Sequence, residues 1–241
     1  MTLQGYSLPR TATGGASLVP PPPWHYVGDF LVVDFWAEPE ACVALLPPGL
    51  DPHPDPGRCA AVFADWQSCS EGGDELIDPI RSHYREFFLV INALLDGEEV
   101  TTCPFIWVDQ DFALARGWIQ GFPKKLGSVW MTRTFGLDVP ADPGLSGRHG
   151  ATCSARGRAI ADMTVDLEGV TEDGPRHNAP PIVNVRHFPR LAAGRHEDQH
   201  VALHAAPHEE HDVLAPLRID RGYRFTFGYT VDDLVTVKEI R

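Results

Sequence analysis

The sequence predicts a β-rich α+β fold. Its 22 glycines and 22 prolines are dispersed between short apolar runs, which is typical of strands separated by turns. With 241 residues, of which 43% are hydrophobic and 22% charged, the chain can bury a sizeable core. We therefore expect residues 1–23 to form an N-terminal arm and residues 24–241 to form a single domain.

The predicted elements follow one another from this arm onward. Residues 19–23, Val-Pro-Pro-Pro-Pro, form a rigid polyproline lead-in. Residues 38–46 predict a short helix, because acidic residues occupy its first turn and Pro47-Pro48-Gly49 stops it. Apolar and aromatic runs predict strands at residues 26–35, 59–67, 84–94, 101–108, 128–135, 150–155, 159–167, 182–188 and 223–229.

Two adjacent lysines interrupt an apolar, aromatic region. They belong to the segment Gly121-Phe122-Pro123-Lys124-Lys125-Leu126-Gly127. We predict a helix over residues 111–118 that leads to this segment, and an extended backbone over residues 118–126. Alternation then places Gln120, Phe122 and Lys124 on one face of the strand and Lys125 on the other.

A lysine in such surroundings is suited to be a nucleophile. An ammonium group is unreactive until it loses its proton, and a site favours the neutral amine by desolvation or by a second cation. We expect the inward-facing Lys124 to be desolvated, with Lys125 acting through space from behind the strand. The alternative is a solvated surface pair that follows a turn proline.

This segment resembles the acetoacetate decarboxylase superfamily, whose hallmark is an aromatic-Pro-Lys-Lys-Leu-Gly sequence. The resemblance implies a cone-shaped antiparallel β-barrel with a few flanking helices. It also implies that the first lysine, here Lys124, forms a Schiff base with a keto acid. Similar segments extend from about Pro20 to Val235, through Pro22-Pro23-Trp24-His25-Tyr26, Asp65-Trp66-Gln67, Tyr84-Arg85-Glu86-Phe87, His187-Phe188-Pro189-Arg190-Leu191 and Tyr229-Thr230-Val231.

Several positions depart from the decarboxylases of that superfamily. Those enzymes carry a Gly-Arg-Glu element, an early arginine that holds the substrate carboxylate, and two pocket glutamates. Here the first element reads Arg116-Gly117-Trp118, and the early arginine falls near Gly28. One glutamate is Glu86, and the other falls at Ala64, or at Asp65 if the register shifts. A methyl group in place of a carboxylate removes charge that would promote loss of carbon dioxide.

The pattern is closer to the aldolase-dehydratase branch of the superfamily. The resemblance implies that Lys124 forms an imine with pyruvate, that the derived enamine adds to an aldehyde, and that water is then lost. Phenols suit the proton transfers, and an amide can hold a carboxylate or hydroxyl without adding charge. The catalytic set is therefore predicted to be Lys124, Tyr84, Glu86, Gln120 and Tyr229.

Each of these assignments has a plainer alternative. Either tyrosine could be a wall residue whose hydroxyl bonds to backbone. Glu86 could pair with Arg85 or Arg81, although alternation places Arg85 on the opposite face. Two other functions stay open for the whole chain: a keto-acid decarboxylase that uses the same imine, and a non-catalytic barrel that binds a hydrophobic metabolite.

The substrate-binding set is predicted to be Trp24, Phe122, Arg116 and Lys125. The net charge of −13 creates a negative exterior field that would not attract a keto acid. Arg116 and Lys125, with Lys124, are therefore expected to supply local positive potential for a substrate carboxylate.

Composition also argues against several functional classes. The negative charge disfavours nucleic acids and anionic membranes, and no apolar stretch is long enough to span a bilayer. Five cysteines without disulfide-type spacing indicate reduced thiols. We expect a cytoplasmic protein that needs no cofactor or metal. The family resemblance implies a homo-oligomer that acts on a small-molecule keto acid and an aldehyde.

A histidine-rich segment over residues 196–211 is the main rival functional signal. Its four-residue spacing could place imidazoles on one helical face as metal ligands, but Pro207 interrupts that helix and a polar loop is favoured.

The chain is also too short here for a strand pair that relatives carry before their last strand. Barrel closure and pocket shape are therefore expected to differ from theirs.

Overall fold

The computed structural model describes residues 2–144, 146–172, 174–175, 180–186 and 214–234. These residues are rich in strands and contain few helices, as predicted. Two 3₁₀ turns lie at Asp74–Ile77 and Pro79–Arg81. In chain order the other elements are β1 (Trp24–Trp36), α1 (Pro39–Ala44), β2 (Asp51–Pro52), β3 (Arg58–Ser70), β4 (His83–Leu95), β5 (Glu98–Val108), α2 (Asp111–Gln120), β6 (Lys124–Leu126), β7 (Ser128–Met131), β8 (Arg148–Ala155), β9 (Arg158–Asp166) and β10 (Arg218–Val231).

The strands form two sheets. The larger sheet has the order β10-β1-β3-β4-β5-β6, with β2 paired to β4, and the smaller has the order β7-β8-β9. Neighbouring strands run antiparallel, except that β6 runs parallel to β5. Within the described residues, β6 and β10 end the larger sheet and do not pair with each other. The closed barrel therefore stays a prediction.

The larger sheet is covered on both faces, which explains its long apolar strands. Tyr26 and Phe30 of β1 belong to a cluster that includes residues of α2. The alternate residues Leu31 and Phe35 belong to a second cluster, with residues of β7, β8 and β9. One face of the sheet thus meets a helix, and the other meets the smaller sheet.

Helix α2 ends two residues later than predicted. Gln120 is its last residue, so the predicted extended backbone over residues 118–126 is wrong at its start. Gly121 follows at φ 87°, and its N–H bonds to the carbonyls of Gly117 and Trp118. Glycine adopts this left-handed conformation without the steric cost of a side chain. The chain can therefore leave the helix abruptly and enter β6.

Most predicted elements are confirmed with shifted ends. The first helix is shorter than predicted, β7 stops at Met131 instead of residue 135, and β10 starts at Arg218 instead of residue 223. In place of the strand predicted from residue 182, Ile182 makes an isolated parallel bridge with Thr101. Residues 187–191 and the histidine-rich segment lie outside the described residues.

Residues before β1 pack against the sheet. Val19 is buried, and its N–H donates to Ser7 Oγ at 3.0 Å. The five cysteines are free thiols, as predicted. No helix in the described ranges is long and apolar enough to cross a membrane.

Candidate active site

Lys124 lies at the start of β6, directly after the turn that ends α2. Its backbone pairs with Ile106 of β5, and its N–H donates to the Phe122 carbonyl at 2.8 Å. Its side chain is only 7% exposed and lies against α2. A Cβ added to Gly117 would lie 2.2 Å from Lys124 Cδ. The helix therefore needs a glycine where the lysine passes.

Glu86 of β4 is the ion-pair partner of Lys124. Lys124 Nζ lies 2.8 Å from Glu86 Oε2, and the Glu86 side chain is also 7% exposed. The alternative partners bind elsewhere, because Arg85 pairs with Asp109 at 3.0 Å and Arg81 pairs with Asp78 at 2.7 Å. The contact places a proton acceptor within hydrogen-bond distance of the amine.

Three tyrosines lie on the same face of the sheet as Glu86. Tyr26 and Tyr229 stack with ring centroids 4.8 Å apart, and Lys124 Nζ lies 5.3 Å from the Tyr84 centroid. Burial raises the pKa of Tyr26 and Tyr84, and the Glu86 charge adds to the effect. They therefore remain protonated donors at neutral pH. Tyr229 is 41% exposed, so it also borders solvent.

Arg116 of α2 places a buried cation beside these rings. Its Cζ lies 4.7 Å from the Tyr26 centroid and 5.5 Å from the Tyr84 centroid, and Nη2 donates to Ser68 Oγ at 3.0 Å. Burial alone would lower the pKa of Arg116, but interactions with the three tyrosines raise it, so the charge is retained.

Arg116 has no carboxylate partner among the ion pairs of the described residues. A guanidinium offers a planar fork of donors that matches a carboxylate. Buried and without an acidic partner in that part of the chain, this one is suited to bind the carboxylate of a ligand.

The helix brings Gln120 to the site, although a strand was predicted to do so. Gln120 Nε2 donates to Tyr26 Oη at 3.4 Å. Phe122 also lies at the site, with its ring centroid 5.8 Å from Lys124 Nζ. The side chains of Gln120, Phe122 and Lys124 therefore converge by way of the glycine turn rather than by strand alternation.

The other two predicted substrate-binding residues lie differently. Lys125 Nζ is 5.9 Å from the ring centroid of Trp107, which belongs to the cluster on the opposite face of the sheet. Trp24 is buried in the core at the start of β1, and its indole N–H donates to the Pro20 carbonyl at 2.9 Å. Lys125 thus lies against the face of the sheet opposite Glu86, whereas Trp24 belongs to the same core cluster as Tyr84.

The structure also explains the departures from the decarboxylase pattern. Ala64 is the cross-strand neighbour of Glu86 on the same face, whereas Asp65 points to the other face and pairs with Arg133 at 2.8 Å. Gly28 is covered by the Trp66 ring, because an added Cβ would lie 2.7 Å from Trp66 Cε3. A methyl group therefore lies beside Glu86, and an indole covers Gly28, at the two positions where the sequence comparison predicts a departure from the decarboxylases.

Sequence reasoning assigned no role to Tyr26, Trp66 or Gly117. Tyr26 reaches the site because β1 pairs with β10 in a register that sets it opposite Tyr229. Strand alternation could have indicated Trp66, because Trp66 lies two residues beyond Ala64 on β3 and therefore on the same face. No pattern in the sequence shows that the lysine side chain passes over Gly117.

Together these residues form a candidate active site. The site contains a buried primary amine, a carboxylate in contact with it, phenols that keep their protons, and a guanidinium suited to an anion. Such a set can activate a ketone, exchange protons with it and hold its carboxylate.

The chain is similar to known enzymes. The acetoacetate decarboxylase (ADC) family model matches residues 7–204. The enduracididine biosynthesis enzyme MppR complexed with pyruvate is 30% identical, with a TM-score of 0.84 and 97% of each chain covered. No curated protein matches the chain.

Two further solved structures are similar. MppR complexed with the condensation product of pyruvate and imidazole 4-carboxaldehyde is 31% identical, with a TM-score of 0.86, and the match covers 97% of this chain and 96% of that one. An acetoacetate decarboxylase-like enzyme from Sphingomonas wittichii RW1 is 26% identical, with a TM-score of 0.81, and the match covers 94% of this chain and 97% of that one.

Proposed function

The chain belongs to the acetoacetate decarboxylase family, and from that premise we propose that it is a Schiff-base lyase of the aldolase-dehydratase type. It condenses pyruvate, or a related 2-keto acid, with an aldehyde and then eliminates water. The observation that carries this proposal is the buried contact of 2.8 Å between Lys124 Nζ and Glu86 Oε2. The likeness to MppR, solved with pyruvate and with a pyruvate-aldehyde condensation product, supports the same reaction class.

Pyruvate suits a site in which two buried cations lie beside one aromatic ring. Lys124 Nζ and Arg116 Cζ lie 5.3 Å and 5.5 Å from the same Tyr84 ring centroid. Pyruvate carries its carboxylate on the carbon next to its ketone, so one molecule can present the carboxylate to Arg116 and the ketone to Lys124. Gln120 can hold an oxygen of the substrate without adding charge.

Imine formation is the first chemical step. Glu86 accepts a proton from the Lys124 ammonium, and the neutral amine attacks the ketone carbon. The carbinolamine loses water and becomes an iminium. The iminium acidifies the adjacent methyl group, which loses a proton and leaves an enamine.

Condensation and dehydration follow from the enamine. Its terminal carbon attacks the aldehyde, and a phenol donates a proton to the new alkoxide. Tyr84 is the proposed donor, because its phenol stays protonated and its ring lies beside Lys124. Loss of the hydroxyl as water, together with a second proton from the former methyl carbon, gives a conjugated iminium. Hydrolysis then releases the product, so one keto acid and one aldehyde yield one conjugated 2-keto acid and one water.

A keto-acid decarboxylase acting through the same imine is the alternative. The methyl group of Ala64 beside Glu86 and the indole over Gly28 favour the aldolase, because they replace the carboxylate and the cation of the decarboxylase pattern. A non-catalytic barrel is the second alternative. It would leave the buried amine, its carboxylate and Arg116 without a chemical use.

Parallel turnover assays separate these functions. We expect pyruvate with imidazole 4-carboxaldehyde, or with another aldehyde of a small panel, to give a conjugated product detected by absorbance and mass spectrometry. We expect acetoacetate to release no carbon dioxide. Lys124→Ala should abolish condensation, whereas Lys125→Ala should retain it. Carbon dioxide from acetoacetate without condensation would select the decarboxylase, and inactivity towards both substrates would contradict both enzymatic functions.

Three structural proposals accompany this function. The larger sheet closes into a cone-shaped barrel, residues 1–23 form an arm on a single domain over residues 24–241, and the enzyme is a homo-oligomer. Exposed apolar side chains on β10, Ile219 and Phe227, support the last of these.

A further inference from the structure

Trp66 makes a buried hydrogen bond that the mechanism above does not use. Its indole Nε1 donates to Glu86 Oε1 at 2.8 Å, and both residues are 5% exposed. The second carboxylate oxygen, Oε2, contacts Lys124. Each oxygen of Glu86 therefore has its own partner, and the two contacts fix the plane of the carboxylate.

The indole reaches Glu86 diagonally, from β3 to the neighbouring strand β4. Ala64 is the direct neighbour of Glu86, and Trp66 lies two residues further along β3 on the same face. The Trp66 ring meets Phe30 edge to face at 4.8 Å and stacks against Tyr84 at 6.2 Å. These contacts hold the ring so that its N–H points at the carboxylate.

Gly28 provides the space for this ring. It pairs with Trp66 across β1 and β3, and an added Cβ would lie 2.7 Å from Trp66 Cε3 and 3.1 Å from Cδ2. The indole thus lies over a glycine, as aromatic residues do in sheets where they cover a neighbouring strand's bare backbone. Any side chain at residue 28 would have to displace the ring.

We propose that Trp66 is a positioning residue for the Lys124 chemistry and that Gly28 is required for its orientation. The indole N–H holds Glu86 Oε1, so that Oε2 stays directed at Lys124 Nζ when the proton is transferred. This inference rests on the proposed Schiff-base function. It adds two residues that act on the lysine through Glu86.

Removal of the indole N–H has a definite chemical consequence. In Trp66→Phe, Glu86 Oε1 would be buried without a donor, which disfavours the carboxylate anion and frees it to rotate. The rate of imine formation should fall by about tenfold or more, since a hydrogen bond to a charged group is lost. The acidic limb of the pH–rate profile should move to higher pH, because the carboxylate loses a donor that stabilises its charge.

The test is the rate at which pyruvate and borohydride attach a reduced pyruvyl group to the full-length protein, measured by mass spectrometry across pH. Trp66→Phe is compared with wild type and with Trp107→Phe, the same substitution in the same sheet on the opposite face. Gly28→Ala keeps the indole but should displace it, and we expect it to change rate and profile in the same direction. Thermal unfolding of each variant reports whether it folds.

The outcomes separate the two proposals. A slower rate and a shifted acidic limb in Trp66→Phe and Gly28→Ala, with Trp107→Phe close to wild type, support the positioning role. If Trp66→Phe does not fold, the profile of Gly28→Ala decides. If wild type is labelled but the variants keep its pH profile, or if Trp107→Phe shifts as much as Trp66→Phe, the positioning role of Trp66 is overturned and the proposed function stands. No label on wild type overturns the proposed function as well.

Discussion

At the scale of single residues, the site is shaped by side chains that control charge. Lys124 and Glu86 neutralise each other in a buried contact, and Arg116 keeps its charge beside phenols whose protons are held by burial. The phenols can therefore donate protons during catalysis but do not ionise near neutral pH. The raised pKa of these phenols also affects how the stability of the protein depends on pH.

We predict that Tyr84 lowers stability at alkaline pH. Burial raises its pKa well above the ordinary value of about 10, so between these two values the unfolded chain loses the proton while the folded chain retains it. The free energy of unfolding therefore falls as pH rises above about 10, and Tyr84 contributes about one proton to the slope of that free energy against pH. In Tyr84→Phe that contribution disappears, and the free energy of unfolding should fall less steeply.

Urea unfolding of both proteins between pH 7 and 11 checks this expectation. Below about pH 9 the two curves of stability against pH should run parallel, because the phenol is protonated in both states. Equal slopes above pH 10 would mean that Tyr84 is not buried as the structure has it.

At the scale of elements, the junction between α2 and β6 decides where the lysine points. The sequence predicts both the helix and the extended lysine segment, but not the boundary between them. The apolar residues up to Ile119 fit either conformation, and only Gly121 at φ 87° marks the turn. A glycine within an apolar run is compatible with a strand as well, so this signal is ambiguous in sequence alone.

We predict that Gly121→Ala lowers stability by about 1 to 2 kcal/mol, because alanine must adopt the left-handed conformation. An added Cβ would also lie 3.1 Å from the Val185 carbonyl oxygen. The turn should therefore shift and slow pyruvate trapping about tenfold or more, since a small displacement of a reacting group has large kinetic effects.

Gly97→Ala is the matched control. Gly97 also has a positive φ, 92°, but a Cβ there meets nothing within 4 Å and the turn lies away from the lysine. Chemical unfolding should show a similar loss of stability for both variants, with slower trapping only in Gly121→Ala. Equal trapping rates in the two variants would contradict the claim that this turn positions Lys124.

At the scale of the whole molecule, the sheet separates two layers and assembles the site from strands that are distant in sequence. Alternation predicted that Glu86 and Arg85 lie on opposite faces and that Lys125 lies opposite Lys124, since it is a local property of a strand. The pairing of β1 with β10, which sets Tyr26 opposite Tyr229, depends on contacts between the two ends of the chain. No local pattern encodes such a contact, so the role of Tyr26 could not be predicted.

The same limit applies to the partners of Glu86. The sequence offered nearby arginines, but Arg85 pairs with Asp109, and Arg81 pairs with Asp78 in the turn before β4. The sheet instead brings Lys124 and Trp66 to the carboxylate. Family resemblance supplied the identity of the lysine. The fold supplies the environment that makes the proposed chemistry possible.

The most direct test of the account is the site at which pyruvate becomes attached under borohydride. Wild type and the variants Lys124→Ala and Lys125→Ala are treated alike, digested and mapped by mass spectrometry. We predict a reduced pyruvyl adduct on Lys124 in wild type and in Lys125→Ala, and no adduct in Lys124→Ala. Equal labelling of both variants, or an adduct on Lys125 alone, would contradict the central claim that Lys124 is the Schiff-base lysine.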